Sequence, residues 1–522
     1  MSAGRPPTRV LVVGLDMGDG ALIDHWSAQG RLPHLAALAA SGAWFELESP
    51  AAALHTSTWP TFATGVLPGH HGVYYPYQPT PGRQFVRHIG RGQYGAPTFW
   101  NVADAAGRRT VVYDVPETFP DVGFGGRALF DWGTWAWYGD PATQPVDLGA
   151  DLASRFGPYP LGYEAKRLAL TLPVDLEAKL LRSVDYKART AAWLLEAPWD
   201  VAAVGFCETH SAGHYLWPAG VDGVTGAAPE AFAPLLHVYQ AIDEAIGALA
   251  SVLPAGTVVM VASGDGVRPN RCGWHLLPAV LERLGFTATR GRTAAPAGAG
   301  APAAPGPPRG LARAAAAARR LVAETLPWHV RDGIGQWLQT AAIDWGRTRA
   351  FALPTDLEGC IRINLRGREP HGIVAPGAEY RALCDELRDR LRELVNPATG
   401  DAAVEQVWIR DEIFAGPCQD ELPDVMVQWR DDAPVAALTS PAIGRVDGVN
   451  PDPRTGTHST RGFLLAAGGG VPAGLRGRAH LADIAPTVLH LASVAAPPVA
   501  GSVLTALAAA PASDIPSSRS AP

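Results

Sequence analysis

Polar side chains with possible chemistry fall in five short segments of this 522-residue chain. The first is Asp16, which directly follows the apolar run that ends at Leu15. Ligand sites in open α/β sheets lie at the carboxyl ends of strands, so this carboxylate is placed to hold a metal or a polar substrate. An Asx turn or a helix N-cap is the structural alternative for an Asp at such a position.

The second segment runs from His55 to Gly65 and is rich in hydroxyls. Pro60 suits the first turn of a helix, so the hydroxyls just before it lie where free backbone N–H groups and the helix dipole favour an anion. A hydroxyl in this position either caps the helix or attacks a phosphoryl group.

Histidines and a further Asp make up the other three segments. His210 and His214 are four residues apart with Glu208 close by, so on a helix they project from one face with the geometry that chelates a metal. Asp265 follows a β-branched strand between two glycines, and His458 precedes a late strand. Polar packing, a turn Asp and a surface loop histidine are the alternatives. Together the segments fit a metal-assisted hydrolase in which two divalent ions clamp a phosphoryl group and activate a Thr.

Alternating strands and helices position these segments and predict a doubly wound α/β sheet. The predicted strands are 9–15, 110–113, 201–206, 257–262, 359–364 and 462–466. The predicted helices are 32–41, 176–195, 235–252, 275–284, 312–324 and 380–394.

Composition narrows the function classes and the compartment. The net charge of −7, without a basic block, argues against binding to a nucleic-acid backbone. Five scattered Cys without CxxC spacing indicate a reducing compartment and no thiolate zinc site. With no signal-peptide core and no apolar run of spanning length, we expect a cytoplasmic protein that does not engage membranes.

The ordered motifs resemble the type I phosphodiesterase/nucleotide pyrophosphatase family of the alkaline phosphatase superfamily. They are the strand ending at Asp16, 59–65 with 68–72, Glu208 to His214, 263–266, 456–458 and 483–490. The stretches 353–359 and 422–424 resemble a bacterial branch of the group. The resemblance implies an alkaline-phosphatase-like three-layer α/β/α sandwich with a mostly parallel central sheet and an inserted α+β cap region.

Domain boundaries follow from this resemblance and from the composition. The expected core comprises 1–292 and 455–508, interrupted by an Ala/Gly/Pro-rich flexible linker at 293–310 and the inserted region at 311–454. Residues 509–522 are expected to form a disordered tail.

The family's active site holds two metals, commonly zinc, and the resemblance implies that Asp16 binds the ion that also binds the nucleophile. His214 and His458 would bind the second ion. His210 stands where the family usually carries an Asp, and Ser263-Gly264-Asp265-Gly266 replaces Ser-Asp-His-Gly. A rearranged partition follows, with Asp16, Asp265 and a Thr on one ion and the three His on the other.

The family's spacing places the attacking hydroxyl at 55, which is His here. Thr56 is therefore the first candidate nucleophile and also a metal ligand, and Thr58 is the second candidate. The expected function is hydrolysis of a small-molecule phosphodiester or nucleotide pyrophosphate through a phosphothreonine. The alternatives are a sulfatase-like or phosphomonoesterase-like enzyme and a non-catalytic binding protein with a degenerate metal site. The oligomeric state stays open.

Overall fold

A computed structural model describes residues 8–79, 82, 86–88, 94–119, 123–133, 141–161, 175–290, 342–355 and 357–507. The chain divides into two compact units. One comprises Met1–His71, Gly90–Pro269 and Pro453–Pro522, and the other comprises Gly72–Ile89 and Asn270–Asp452. The linker, the helix 312–324 and the tail predicted from the sequence lie outside the described residues, and the predicted domain boundaries stay predictions.

The first unit is built on a nine-stranded sheet. Its strands lie in the order Leu475–His480, Ala43–Glu48, Gly462–Gly468, Val258–Ser263, Val10–Leu15, Val201–Phe206, Thr110–Tyr113, Arg127–Phe130 and Ala142–Gln144. Gly462–Gly468 is antiparallel to both of its neighbours, and Ala142–Gln144 is antiparallel to its one neighbour. The remaining pairs are parallel, which confirms the mostly parallel sheet.

Helices cover both faces of this sheet because its central strands are apolar on both sides. Along Val10–Leu15, Leu11, Val13 and Leu15 pack into one hydrophobic cluster, and Val10 and Val12 pack into another. Successive side chains of a strand point to opposite faces, so this division is the packing of a three-layer α/β/α sandwich.

Helices of the first unit fall into α-helices and single 3₁₀ turns. The α-helices are Gly20–Ala28, Pro33–Ser41, Thr58–Thr64, Pro68–His71, Phe99–Ala105, Leu148–Phe156, Leu176–Glu196, Glu208–Leu216, Ala233–Val252 and Ile484–Leu491. The 3₁₀ turns are Pro50–Ala52, His55–Ser57, Pro229–Phe232, Leu481–Asp483 and Thr505–Leu507. A separate antiparallel ribbon pairs Gly266–Pro269 with Gly456–Ser459.

The second unit combines antiparallel strands with helices. A four-stranded sheet has the order Ala350–Ala352, Gly359–Ile363, Val425–Trp429 and Val404–Ile409, and two ribbons pair Tyr77–Pro79 with Val86–His88 and Ala437–Ser440 with Gly444–Asp447. Its helices are Trp274–Leu276, Leu277–Arg283, Ala378–Arg392, Arg410–Ile413 and Gln419–Glu421. Asp424, from the stretch that resembles the bacterial branch, forms a buried ion pair with Arg368 at 2.6 Å.

In the described part of the chain, no helix combines the length and the hydropathy needed to cross a membrane.

Candidate active site

Three adjacent parallel strands deliver acidic groups to one edge of the central sheet. Asp16 directly follows Val10–Leu15, Asp265 follows Val258–Ser263, and Glu208 follows Val201–Phe206 with one residue between. The first of these strands lies between the other two, and all three run in the same direction. Their carboxyl ends therefore meet, as the ligand sites of open α/β sheets require.

Three histidines converge at this edge. His210 and His214 lie on the helix Glu208–Leu216. The segment is therefore helical, as a shared face for these two histidines requires. His458 lies on the strand Gly456–Ser459 and is only 7% exposed, so the alternative of a surface loop histidine is wrong. One ligand atom from each of the three residues lies within 4.8 Å of the others.

Hydrogen bonds to a backbone carbonyl and to a carboxylate fix the orientation and the tautomer of two of these imidazole rings. The Nδ1 of His214 is 2.9 Å from the Gly456 carbonyl oxygen, and the Nδ1 of His458 is 2.7 Å from Asp265 Oδ2. Because each Nδ1 faces an acceptor, it carries the proton, and the Nε2 atoms keep their lone pairs.

The spacing of the ring nitrogens matches that of a metal site. The Nε2 atoms of His210 and His214 lie 3.2 Å apart. Two nitrogens bound to a tetrahedral zinc at about 2.0–2.1 Å lie about 3.3 Å from each other. His210 and His214 are therefore spaced as two ligands of one divalent ion, and His458 lies within 4.8 Å of both.

Burial keeps these histidines in the form that binds metal. Desolvation lowers the pKa of His210 to about 4 and holds the pKa of His214 well below its ordinary value. The positive charge of Arg454 lowers both pKa values further. Both rings are neutral at pH 7, and neutral imidazole is the ligand form.

Asp16 lies beside this group with a fixed orientation. Its Oδ1 accepts a hydrogen bond from the Trp59 indole N–H at 2.8 Å. Burial raises the pKa of Asp16, His210 lowers it, and Asp265 raises it again. Asp16 is therefore close enough to His210 and Asp265 for their charges to act on it.

The hydroxyl segment forms a 3₁₀ turn, His55–Ser57, that runs directly into the helix Thr58–Thr64. In this described segment, Ser57 at the N-cap position makes no side-chain capping bond to that helix. The Thr56 hydroxyl is 3.1 Å from His55 Nε2, and the centroid of the His55 ring is 4.5 Å from that of His458. Thr56 is thereby linked to the histidine group.

Thr58 faces a different neighbour. A Cβ built on Gly264 would lie 2.9 Å from Thr58 Cβ, which shows that the Thr58 side chain is packed against Gly264. The charges of Asp16 and Asp265 act on each other, and Thr56 reaches the histidines through His55, but these contacts alone do not define a second set of metal ligands. The prediction that they bind a second ion therefore stays a prediction.

Sequence reasoning missed a buried charge cluster at the same edge. Lys187 is fully buried, and its Nζ lies 2.9 Å from Asp114 Oδ2, 2.9 Å from the Gly205 carbonyl oxygen and 3.5 Å from Glu208 Oε1. Asp114 directly follows Thr110–Tyr113, so the rule that pointed to Asp16 would have found it.

One further candidate metal group occurs in the described residues, formed by His34, Asp243 and Glu244. Asp243 accepts hydrogen bonds from the backbone N–H groups of His34 and Leu35, so its carboxylate caps a helix. Glu244 is mostly exposed. This group is a capping arrangement with a surface ion pair.

Comparisons with known proteins identify the family of this chain and proteins that share its fold. The profile of the family "Type I phosphodiesterase / nucleotide pyrophosphatase" matches residues 10–449. No curated protein matches the sequence. Phosphonoacetate hydrolase from Sinorhizobium meliloti 1021, solved with phosphonoformate, is 14% identical with a TM-score of 0.51, and the match covers 94% of this chain and 98% of that one. This similarity shows a shared fold.

Two other solved structures have lower TM-scores. An inactive variant of murine ectonucleotide pyrophosphatase/phosphodiesterase 5, in complex with AMP, is 12% identical with a TM-score of 0.49. The human protein of the same name is 11% identical with a TM-score of 0.48. Each match covers 95% of this chain and 97% of the other.

Proposed function

Because the chain belongs to the type I phosphodiesterase/nucleotide pyrophosphatase family, whose members are phosphoester hydrolases, we propose that it hydrolyses a small-molecule phosphoester with a divalent metal ion and a Thr nucleophile. The observation that supports this most is the convergence of His210, His214 and His458 at the sheet edge, beside Thr56. Phosphodiesters and nucleotide pyrophosphates are the substrate class that we propose.

The three histidines are the proposed metal ligands. Three protein ligands that leave a fourth position open are typical of catalytic zinc, and imidazole nitrogen suits zinc, so zinc is the proposed ion. When bound, the ion supplies Lewis acidity to a phosphoryl oxygen. The neutral state of the His210 and His214 rings at pH 7 supports this assignment.

Thr56 is the proposed nucleophile. Its Oγ1 attacks phosphorus, so a bond forms between that oxygen and phosphorus as the bond to the leaving alcohol or phosphate breaks. His55 Nε2, 3.1 Å from the hydroxyl, is placed to accept its proton. Water then hydrolyses the phosphothreonine and restores the hydroxyl.

Two further proposals concern the whole chain. We propose that residues 293–450 shape substrate choice, since insertions in this superfamily often do so. We also propose a cytoplasmic location, because the five cysteines, all in the described part of the chain, carry thiols and form no disulfide among themselves.

The nucleophile is tested with paired variants on an aryl phosphodiester and an aryl phosphomonoester. Removing a nucleophile costs orders of magnitude in kcat, so we expect Thr56→Ala to lose about 10³-fold or more and Thr58→Ala less than about tenfold. Acid quenching followed by mass spectrometry should find phosphate on Thr56 in the parent protein. The reverse ranking of the two variants would make Thr58 the nucleophile.

Metal dependence is tested with the same substrates. Chelation should abolish activity, and added zinc should restore it. Bound metal with no turnover of diester, monoester or aryl sulfate would instead support the binding-protein alternative, which the substitutions at His210, Gly264 and Asp265 favour. Turnover of the monoester or sulfate alone would support the phosphomonoesterase-like or sulfatase-like alternative.

A further inference from the structure

We infer that this chain binds one divalent ion, at His210, His214 and His458, and has lost the second ion position of its family. The inference rests on the proposed function, because it concerns the same site. Three features carry it: the packing at Gly264, the partners of Asp265 and the number of remaining ligands.

Gly264 leaves no room for a ligand at its position. A Cβ there would lie 2.7 Å from Leu481 Cδ2 and 2.9 Å from Thr58 Cβ. Contacts below 3.0 Å do not occur at real Cβ atoms, so a carboxylate at 264 requires the neighbours to move. Leu481 and Thr58 occupy the space that the side chain of the family's Asp would need.

Asp265 serves the three-histidine site. Its Oδ2 accepts the Nδ1 proton of His458 at 2.7 Å, and its Oδ1 lies 3.5 Å from the Ser263 hydroxyl. A carboxylate in this place fixes the tautomer of a metal-binding histidine and increases its basicity. Asp265 is thus a positioning residue that acts on the ion through His458.

Too few ligands are then left for another ion. Asp16 and Thr56 are the remaining predicted ligands, and Asp16 Oδ1 already accepts the Trp59 indole N–H. Zinc in proteins takes at least three protein ligands. Two donors, one of them a neutral hydroxyl, fall short of that number.

Metal stoichiometry of the full chain tests the inference. The metal-free protein is titrated with Co²⁺, followed by its visible absorption, and bound zinc is separately measured by mass spectrometry after gel filtration. We expect saturation at one equivalent. Asp16→Asn should keep that stoichiometry, and His214→Ala should abolish tight binding.

Asp265→Asn separates a positioning role from a ligand role. Loss of a group that orients a ligand lowers metal affinity about 10–100-fold, so we expect that decrease with the stoichiometry still at one. The Co²⁺ absorption should keep its intensity, because the ligand set is unchanged. Removal of a direct ligand would instead alter the absorption spectrum or the number of ions bound.

The remaining outcomes separate this inference from the proposed function. Two bound equivalents in the parent protein would overturn the inference, and the loss of one of them in Asp16→Asn would place the second ion at Asp16. If the parent protein also hydrolyses the phosphodiester, the proposed function stands. No bound metal together with no hydrolysis would overturn both. The parent titration decides the stoichiometry even where a variant fails to fold.

Discussion

Replacing Lys187 with Met should cost a large part of the free energy of unfolding. The substitution keeps the apolar stem and removes the charge that lies 2.9 Å from Asp114 and 3.5 Å from Glu208. Burial alone lowers the pKa of Lys187, but the two carboxylates outweigh it and hold that pKa well above its ordinary value. The lysine is therefore charged, and its loss leaves two buried acids without a cation.

The magnitude follows from the partners that remain. Breaking a buried ion pair costs about 3–5 kcal/mol. Asp114 still accepts hydrogen bonds from the backbone N–H groups of Trp132 and Gly133, which favours the lower half of that range. A domain has only about 5–15 kcal/mol of stability in total, so Lys187→Met should shift its unfolding markedly.

Urea unfolding of Lys187→Met beside Arg189→Met provides the measurement. Arg189 is on the same helix, two residues away, and makes an exposed pair with Asp185 at 2.9 Å. Exposed pairs contribute about 0–1 kcal/mol, so the Arg189 variant should unfold nearly where the parent does. Equal shifts in the two variants, or a loss below about 1 kcal/mol for Lys187→Met, would refute the electrostatic argument.

Two further changes probe packing and pH in the first unit. Burial lowers the pKa of His71, which bonds the Thr61 hydroxyl at 3.1 Å, to about 3. The unfolded chain binds the proton near pH 6.5, so stability falls as pH drops below 6.5, and between pH 7 and 5 the parent should lose about 2 kcal/mol more than His71→Gln. Parallel pH curves would contradict this. Gly264→Ala should cost about 1–3 kcal/mol through its contacts with Leu481 and Thr58. A double-mutant cycle with Leu481→Ala should recover part of the loss, and strict additivity would count against the clash.

Strong local patterns made much of the core predictable. The strands 110–113 and 201–206 have the predicted bounds, and the helix predicted at 176–195 is Leu176–Glu196. Such elements carry continuous β-branched runs or long amphipathic periods, which packing against the sheet reinforces. The family was also predictable, because its motifs keep their order along the chain.

The strand that carries His458 had no such signal. Its partner, Gly266–Pro269, contains an Arg and a Pro, and neither segment is an apolar run. Bonds to distant residues hold the ribbon: the Arg268 side chain donates to the His458 carbonyl oxygen at 2.8 Å, and Gly456 is bound to the His214 ring. Tertiary contacts therefore decide this strand.

The sequence does contain a signal for the burial of Lys187. Leu180, Val184, Lys187, Ala191 and Leu194 follow one helical stripe, so the lysine interrupts a row of core positions. A charged residue there needs a buried partner, and its natural partners are acids at strand ends. The pattern predicts a buried ion pair but gives no means of choosing its partner without the fold.

The acids at the sheet edge differ in the partners that the chain gives them. Asp114 and Glu208 both face Lys187, a cation that the chain itself supplies. For Asp16, the largest charge effects come from His210 and Asp265, neither of which is a permanent cation. Asp265 in turn accepts the Nδ1 proton of His458 and so orients a ligand of the proposed ion. The role of Asp265 and the packing at Gly264 therefore lead to the same stoichiometry of one ion, because both remove a ligand from the second position.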